Sequence, residues 1–476
     1  MSSAVVVVSL TAAALTVLYL YFNNTRHLED TQITLRKLPL IGDLHQSPIA
    51  KPLSNWSAWS KDNGPITKAK LFGIVPIIVI NSYEALTELF SRRSQWYSNR
   101  PASVSLEMIT GAEPGRSRFT LMHDYDEHLK LHHRILSPSL GAPAASQYQP
   151  LMELEPKQLL FDLVSTLKKT NDGSSIDTKT VFPLLERTQS SVILALHYGL
   201  RIPKFEEPFL HEVIDIQAKV THLAANPQLP DLMPFLCHLP ALVSPWQRYA
   251  DKLYASQILW LFVAVIQNPE FMARAHEVLD KVVGRDRLPR FSDRNGLAYI
   301  DVVAHELFRW RPISPGSIPR RAEHADESAG VKIAKGVTIM ANSWAIGRDE
   351  KVVDSSLGNV EDFLPERWLR DGRLRSDLPL PVFGQGRRIC QGKRVATDGI
   401  FMNITHLLWA FDVEAVLGEE VDPWAMVVVG FMTEPRPFKF RLKPRGQWAL
   451  DVIKREWANS EKSLDRVMGL AHDVEK

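Results

Sequence analysis

Ten consecutive residues constrain this chain more than any others: Phe383-Gly384-Gln385-Gly386-Arg387-Arg388-Ile389-Cys390-Gln391-Gly392. They set one cysteine among three glycines, two adjacent arginines and an aromatic ring. Such a loop suits metal ligation by a thiolate, because backbone N–H groups and nearby cations hold the sulfur deprotonated. Gly384, Gly386 and Gly392 let the backbone adopt left-handed conformations and come close to something flat. The simplest chemistry that uses these features is a haem iron ligated by Cys390, with an arginine facing a haem carboxylate. A buried structural cysteine after a glycine-rich turn is the plainer alternative, since free cysteines often pack as small hydrophobes.

The loop matches F-x-x-G-x-R-x-C-x-G, the haem-binding signature of cytochromes P450, at every defined position, and the chain resembles that family. The resemblance implies a fold that is mainly α with small β-sheets. It implies haem b with an axial Cys390 thiolate, and cofactor contacts from Phe383, Gly386, Arg388 and Gly392. Two further motifs precede the loop in the family's order. Glu306 and Arg309 lie three apart on one helical face, where opposite charges meet. Phe363-Leu364-Pro365-Glu366-Arg367-Trp368 follows, and in P450s the arginine of this P-E-R motif closes a triad with E-x-x-R. A buried charge network is costly unless fully paired, so Glu306, Arg309 and Arg367 are expected to be structural.

Composition adds bounds. Hydrophobic residues at 45% and charged residues at 23% allow a large core, and a net charge of +2 gives no reason to expect a nucleic-acid partner. The two cysteines, Cys237 and Cys390, imply no disulfide framework and favour a reducing compartment.

Residues 4–22 carry no charge, a length close to the roughly 20 residues that span a bilayer as a helix. A cleaved signal peptide is the alternative, but Met1-Ser2-Ser3 lacks a basic n-region. Arg26, Arg36 and Lys37 follow the apolar run, which predicts a cytosolic body. The division expected is therefore a membrane anchor at 1–25, a hinge at 26–45 and a haem domain at 46–476. The hinge segment Leu38-Pro39-Leu40-Ile41-Gly42-Asp43 is similar to part of the proline-rich hinge of microsomal P450s. Residues 283–289 and 383–392 resemble most the fungal O-methylsterigmatocystin oxidoreductase-like group. That implies a single-pass protein of the endoplasmic reticulum membrane, electrons from NADPH–cytochrome P450 reductase, and a small apolar substrate of secondary-metabolite type.

Local patterns predict strands at 70–73 and 76–81, a helix from Ser82 to Arg92, and helical structure through 147–217. Further strands are predicted at 337–342 and in a hairpin over 427–438, whose tip, Phe431 and Met432, would enter the pocket. In the family the segment 312–319 runs beside the haem and lines the substrate chamber.

Two departures from the family matter. In Tyr125-Asp126-Glu127-His128-Leu129-Lys130-Leu131-His132-His133-Arg134, Leu129 and His133 occupy the places of a W-x-x-x-R pair that holds a haem propionate. Leucine cannot donate a hydrogen bond, whereas His133 can pair with a carboxylate; Lys130 or Arg134 could substitute, or the cluster is a solvated basic face. Arg320 stands where the family has another propionate-binding residue, the alternative being a solvated arginine beside Arg321.

The second departure is larger. Upstream of Asn268-Pro269-Glu270 the family carries A/G-G-x-D/E-T-T, whose acid–alcohol pair delivers protons to oxygen. Residues 246–260 contain neither glycine nor threonine, and their only acid and alcohol, Asp251 and Ser256, are five apart. The pattern implies a gap of several tens of residues near 245–260. Proton delivery needs groups within hydrogen-bond reach. Open readings are an enzyme with another proton route, a haem-thiolate protein without oxygenase turnover, a peroxide-using or rearranging haem-thiolate enzyme, and a chain shortened by a missed exon.

Overall fold

The computed structural model describes residues 60–61, 63–71, 75–103, 107, 120–170, 175–215, 256–429 and 432–469. The expected anchor and hinge lie outside them, as do Cys237, Asp251, Phe431 and residues 246–255 of the distal stretch. Among the described residues, no helix is long and apolar enough to cross a membrane.

Strands β1 (Ile66–Leu71) and β2 (Val75–Ile80) pair antiparallel. Ile77, Ile78, Val79 and Ile80 are all buried, so β2 is covered on both faces. That suits its interior place in the sheet, where β-branched side chains pack well. Strand β3 (Ser175–Asp177) interrupts what the sequence predicts as continuous helix over 147–217. Its three residues are captured by pairing with a strand far along the chain, which local periodicity does not register. Strands β4 (Arg320–Arg321) and β5 (Thr338–Ala341) complete the first sheet in the order β1-β2-β5-β4. Strands β6 (Phe411–Ala415), β7 (Met426–Val429), β8 (Met432–Pro435) and β9 (Lys439–Pro444) supply a hairpin, β7-β8, and a sheet of order β6-β9-β3.

The helices make up most of the core. Helix α1 (Tyr83–Thr87) starts where the Ser82 hydroxyl accepts the Ala85 N–H at 3.2 Å. The predicted single helix to Arg92 instead continues as a π turn, Glu88–Arg92, in which the Arg93 N–H reaches the Glu88 carbonyl. This wider turn sets the Phe90 carbonyl against the cysteine loop, a contact no local pattern encodes. Helix α2 (Glu127–Leu140) is capped by Asp126, which accepts the Leu129 N–H at 2.9 Å. Helices α3 (Gln149–Leu167) and α4 (Thr178–Tyr198) follow, the latter ended by Gly199 at φ 67°.

Helix α5 (Ser256–Gln267) is buried at every residue from Ile258 to Val265. Helices α6 (Pro269–Val282), α7 (Ala298–Trp310) and α8 (Lys393–Ala410) pack with it into one hydrophobic core, and α9 (Gln447–Asn459) covers α3. Helix α8 is buried at every residue from Ile400 to Ala410, as a central helix should be, and its polar Asn403, Thr405 and His406 bond back to carbonyls one turn earlier. Its one buried carboxylate, Asp398, pairs with Arg294 and with Arg394 at 2.9 Å.

Candidate functional site

The cysteine loop runs from the end of a short 3-10 turn, Pro381–Phe383, into the start of α8. The Cys390 N–H closes it by donating to the Phe383 carbonyl at 2.8 Å, and the Phe383 ring meets Phe308 of α7 edge-on at 5.1 Å. Two glycines are required by geometry. Gly384 sits at φ 70°, and a Cβ on Gly386, at φ 64°, would stand 1.9 Å from the Phe90 carbonyl oxygen.

This loop forms one wall of a cavity of about 390 Å³. Cys390, Phe383, Gly384 and Arg388 line it, facing Leu129 and His133 of α2, Phe90, Arg320 of β4, Met432 of β8, and Ile313, Ser314, Ser317 and Ile318. Gly386 and Gly392, expected as cofactor contacts, fall outside the lining. Gly386 lets the loop pack on Phe90, and Gly392 is the N-cap of α8. Cys390 is an exposed residue, yet the protein packed around its sulfur pushes the thiol up, while the Gly392 N–H and the Lys393 charge favour the thiolate.

Three arginines surround the cavity, one of which, Arg100, the sequence reading missed. Arg100 donates to the carbonyls of Leu121 (3.0 Å), Ile318 (3.0 Å) and Pro319 (2.6 Å). Arg320 donates to Gln385 O at 2.6 Å and lies 3.8 Å over the Phe90 ring, so it is buried and not solvated. Arg388 donates to Ser98 O at 2.7 Å and to His123 O. Among the described residues no carboxylate pairs with any of the three, whereas the neighbouring Arg321 pairs with Asp124 at 2.6 Å.

Burial, with repulsion from Arg388, pushes Arg320 down to about 9, and burial brings Arg388 to about 10. Burial and the other two guanidinium groups hold Arg100 far below its ordinary value. Two buried arginines, Arg100 and Arg320, and the half-buried Arg388, none of them in an ion pair among the described residues, fit an anionic group with several acceptor oxygens, such as a dicarboxylate.

The chain's residues 34–252 and 254–442 match the family model for cytochrome P450. The chain belongs to the cytochrome P450 family. The match is broken at residue 253, inside the 246–260 stretch that carries neither glycine nor threonine. Cytochrome P450 monooxygenase peniB of Penicillium patulum is 28% identical over 507 residues, covering 93% of this chain and 91% of the relative. FrzL of Cladobotryum sp. is 28% identical over 491 residues, with 91% of each covered, and aneD of Aspergillus aculeatus 28% over 495 residues, again 91% of each. The 507 aligned positions exceed the chain's own 476 residues, so the alignment contains positions of the relative with no counterpart in this P450.

The haem-thiolate group of the family fits the residues present. Cys390 would supply the thiolate, and Arg100, Arg320 and Arg388 would meet the carboxylates. Of the three candidates on α2, only His133 lines the cavity, and burial beside Arg388 holds its imidazole below the ordinary value. Lys130 is engaged with Glu127 at 2.7 Å and Arg134 is exposed. The P450 triad sits behind the loop. Arg309 grips Glu306 through two bonds of 2.7 Å, while Arg367 approaches the same carboxylate only to 3.8 Å and binds the carbonyls of Asp354 and Asn359 instead.

The distal side differs. No residue of α5 lines the cavity, and the described lining contains no carboxylate; its hydroxyls are Thr120, Ser314 and Ser317. The first turns of α5 are spent on the core: Gln257 donates to Leu307 O at 3.1 Å and Trp260 to Thr433 O at 3.5 Å.

Proposed function

We propose that this P450 is a haem-thiolate monooxygenase of fungal secondary metabolism acting on a small apolar substrate. The observation that carries it is the cavity flanked by Cys390, the buried Arg100 and Arg320 and the half-buried Arg388, none of the three in an ion pair among the described residues, on a chain matched by the family model along most of its length. The relatives' names support the monooxygenase reading. Haem, when bound, supplies the oxygen and one-electron chemistry.

The chain's own residues hold and orient. Cys390 would supply the thiolate and Arg100, Arg320 and Arg388 would hold the carboxylates, while the Glu306–Arg309 pair stiffens α7. Ile313, Ile318 and Met432 give the chamber an apolar wall that suits an apolar substrate and excludes water. The finer assignment, nearest the O-methylsterigmatocystin oxidoreductase-like group, rests on residues 283–289 and 383–392. A single-pass anchor at 1–25 in the endoplasmic reticulum membrane, with NADPH–cytochrome P450 reductase as electron donor, belongs to the same proposal and rests on the uncharged run at 4–22.

A second reading, haem-thiolate binding without oxygenase turnover, is favoured by the lack of an acid in the described lining. A ferrous–CO difference spectrum of the full chain tests thiolate ligation, and Cys390→Ser should abolish the thiolate-type band. NADPH consumption coupled to product, with reductase and candidate apolar substrates, then separates the two readings: steady uncoupled or absent consumption sinks the monooxygenase. A transcript encoding more residues near 245–260 would mark the gap as an artefact of the gene boundary.

A further inference from the structure

Near the start of α2, outside the haem cavity lining, His128 and His132 turn the same ring atom toward each other: their Nε2 atoms stand 3.1 Å apart. They are four residues apart on one helical face, His128 exposed and His132 half-buried. A first-row divalent ion with metal–N bonds of about 2.0–2.1 Å places two imidazole nitrogens roughly 3.3–3.4 Å apart at the tetrahedral angle and about 2.8–3.0 Å apart at the right angle of a tetragonal site. The observed 3.1 Å, which is the length of a hydrogen bond from one ring to the other, lies between these two values, so an ion could replace the shared proton with little movement of either ring.

Histidines at this spacing on a helix surface are commonly just solvated, and two features set this pair apart. The first is an outer partner. His132 Nδ1 lies 3.4 Å from the Thr120 hydroxyl. A proton on Nδ1 directed at that hydroxyl leaves the Nε2 lone pair facing His128, which is the tautomer a metal ligand requires. The second is orientation: the His123 ring stacks on His128 with centroids 4.9 Å apart and planes inclined by 22°, restricting how that imidazole can turn.

We propose that His128 and His132 form a clip for a divalent first-row transition metal, Zn²⁺ or Cu²⁺ being the ions imidazole suits. Among the described residues no three side chains of His, Cys, Asp and Glu converge on one point. The clip therefore contributes two ligands and water completes the shell, as in an exchangeable surface site. Binding needs no oxidant and no change in charge on the protein. His128 releases its Nε2 proton to solvent and takes one on Nδ1, so both Nε2 lone pairs face the ion.

The test is isothermal titration of the full, haem-loaded chain with ZnCl₂, with Cu²⁺ electron paramagnetic resonance as a second measurement. The expected result is one equivalent bound in the micromolar range. His128→Ala and His132→Ala should each weaken it about tenfold or more, and Thr120→Val, which removes the outer partner, about tenfold. His197→Ala, an exposed histidine on α4 bonded to the Ile193 carbonyl, should leave it unchanged. The Cu²⁺ spectrum should carry hyperfine structure from two nitrogens. Wild-type affinity in both His128→Ala and His132→Ala overturns the proposal, as does a Cu²⁺ spectrum without imidazole nitrogen.

Discussion

The Glu306 carboxylate receives Nε–H and Nη2–H of Arg309, each at 2.7 Å, and both groups are buried within α7. The Leu364 N–H at 2.8 Å and the Trp368 indole at 3.0 Å occupy its remaining acceptor positions. That saturation explains why Arg367 stays at 3.8 Å with its Nε unpartnered. Removing one member of a buried pair strands the other, at a cost of about 3–5 kcal/mol. Glu306→Gln should therefore lower stability by that amount in urea unfolding. Arg367→Gln, which loses carbonyl contacts and only a distant charge, should cost less, about 1–3 kcal/mol. Equal losses would contradict this ranking.

Gly386 and Gly399 make opposite predictions. A Cβ at 386 would overlap the Phe90 carbonyl at 1.9 Å, on a backbone already at φ 64°. Gly386→Ala should displace the loop and cost more than the roughly 1–2 kcal/mol of left-handed strain alone. Its haem content after purification should be low. Gly399 is interior to α8 with nothing within 4 Å of its absent Cβ. Gly399→Ala should raise the unfolding free energy by up to about 1 kcal/mol, since alanine is the better helix former.

Arg100 is the residue by which the haem-binding proposal is most directly probed. A hydrogen bond to a charged group contributes about 1.5–3 kcal/mol, so Arg100→Gln should speed haem transfer to an apoglobin acceptor roughly ten- to hundredfold. The same measurement on Arg321→Gln, whose parent pairs with Asp124 outside the cavity lining, should show little change. If both variants release haem at the wild-type rate, Arg100 does not hold the cofactor.

Asp326 supplies a pH dependence. Burial pulls its carboxyl up, but the Tyr97 hydroxyl at 2.6 Å, Arg93 Nη1 at 2.8 and 2.9 Å and the Glu327 N–H outweigh burial and hold it below the usual carboxylate range. A carboxyl depressed in the fold contributes stability that is fully present above its unfolded value of about 3.9. The contribution is lost as pH falls through the lower folded value. Wild-type stability should thus decline on acidification below about pH 4, and Asp326→Asn should be less stable at neutral pH with a flatter profile in that window. A steeper acid profile for the variant would reverse the sign.

Much of the site was legible in residues 383–392 because haem ligation needs a local chemistry: thiol, glycines and cation within ten positions. The order of E-x-x-R, P-E-R and the cysteine loop was equally visible. Arg100 was not, since its place depends on the carbonyls of residues 318 and 319, more than two hundred positions away. Nor was the retreat of Gly386 and Gly392 from the cavity lining, because whether a glycine serves a ligand or a neighbouring backbone is set by what packs against it.

The sequence by itself determined the helical class, the cysteine loop, the charge pair on α7 and the lack of glycine and threonine in 246–260, all of them properties of neighbours along the chain. Only the tertiary structure decided which cations gather around Cys390, that His133 and not Lys130 or Arg134 faces them, and that α5 spends itself on the core. The reason is physical: local spacing fixes which side chains share a helix face. Uncompensated charge, steric room and burial arise only where distant segments meet.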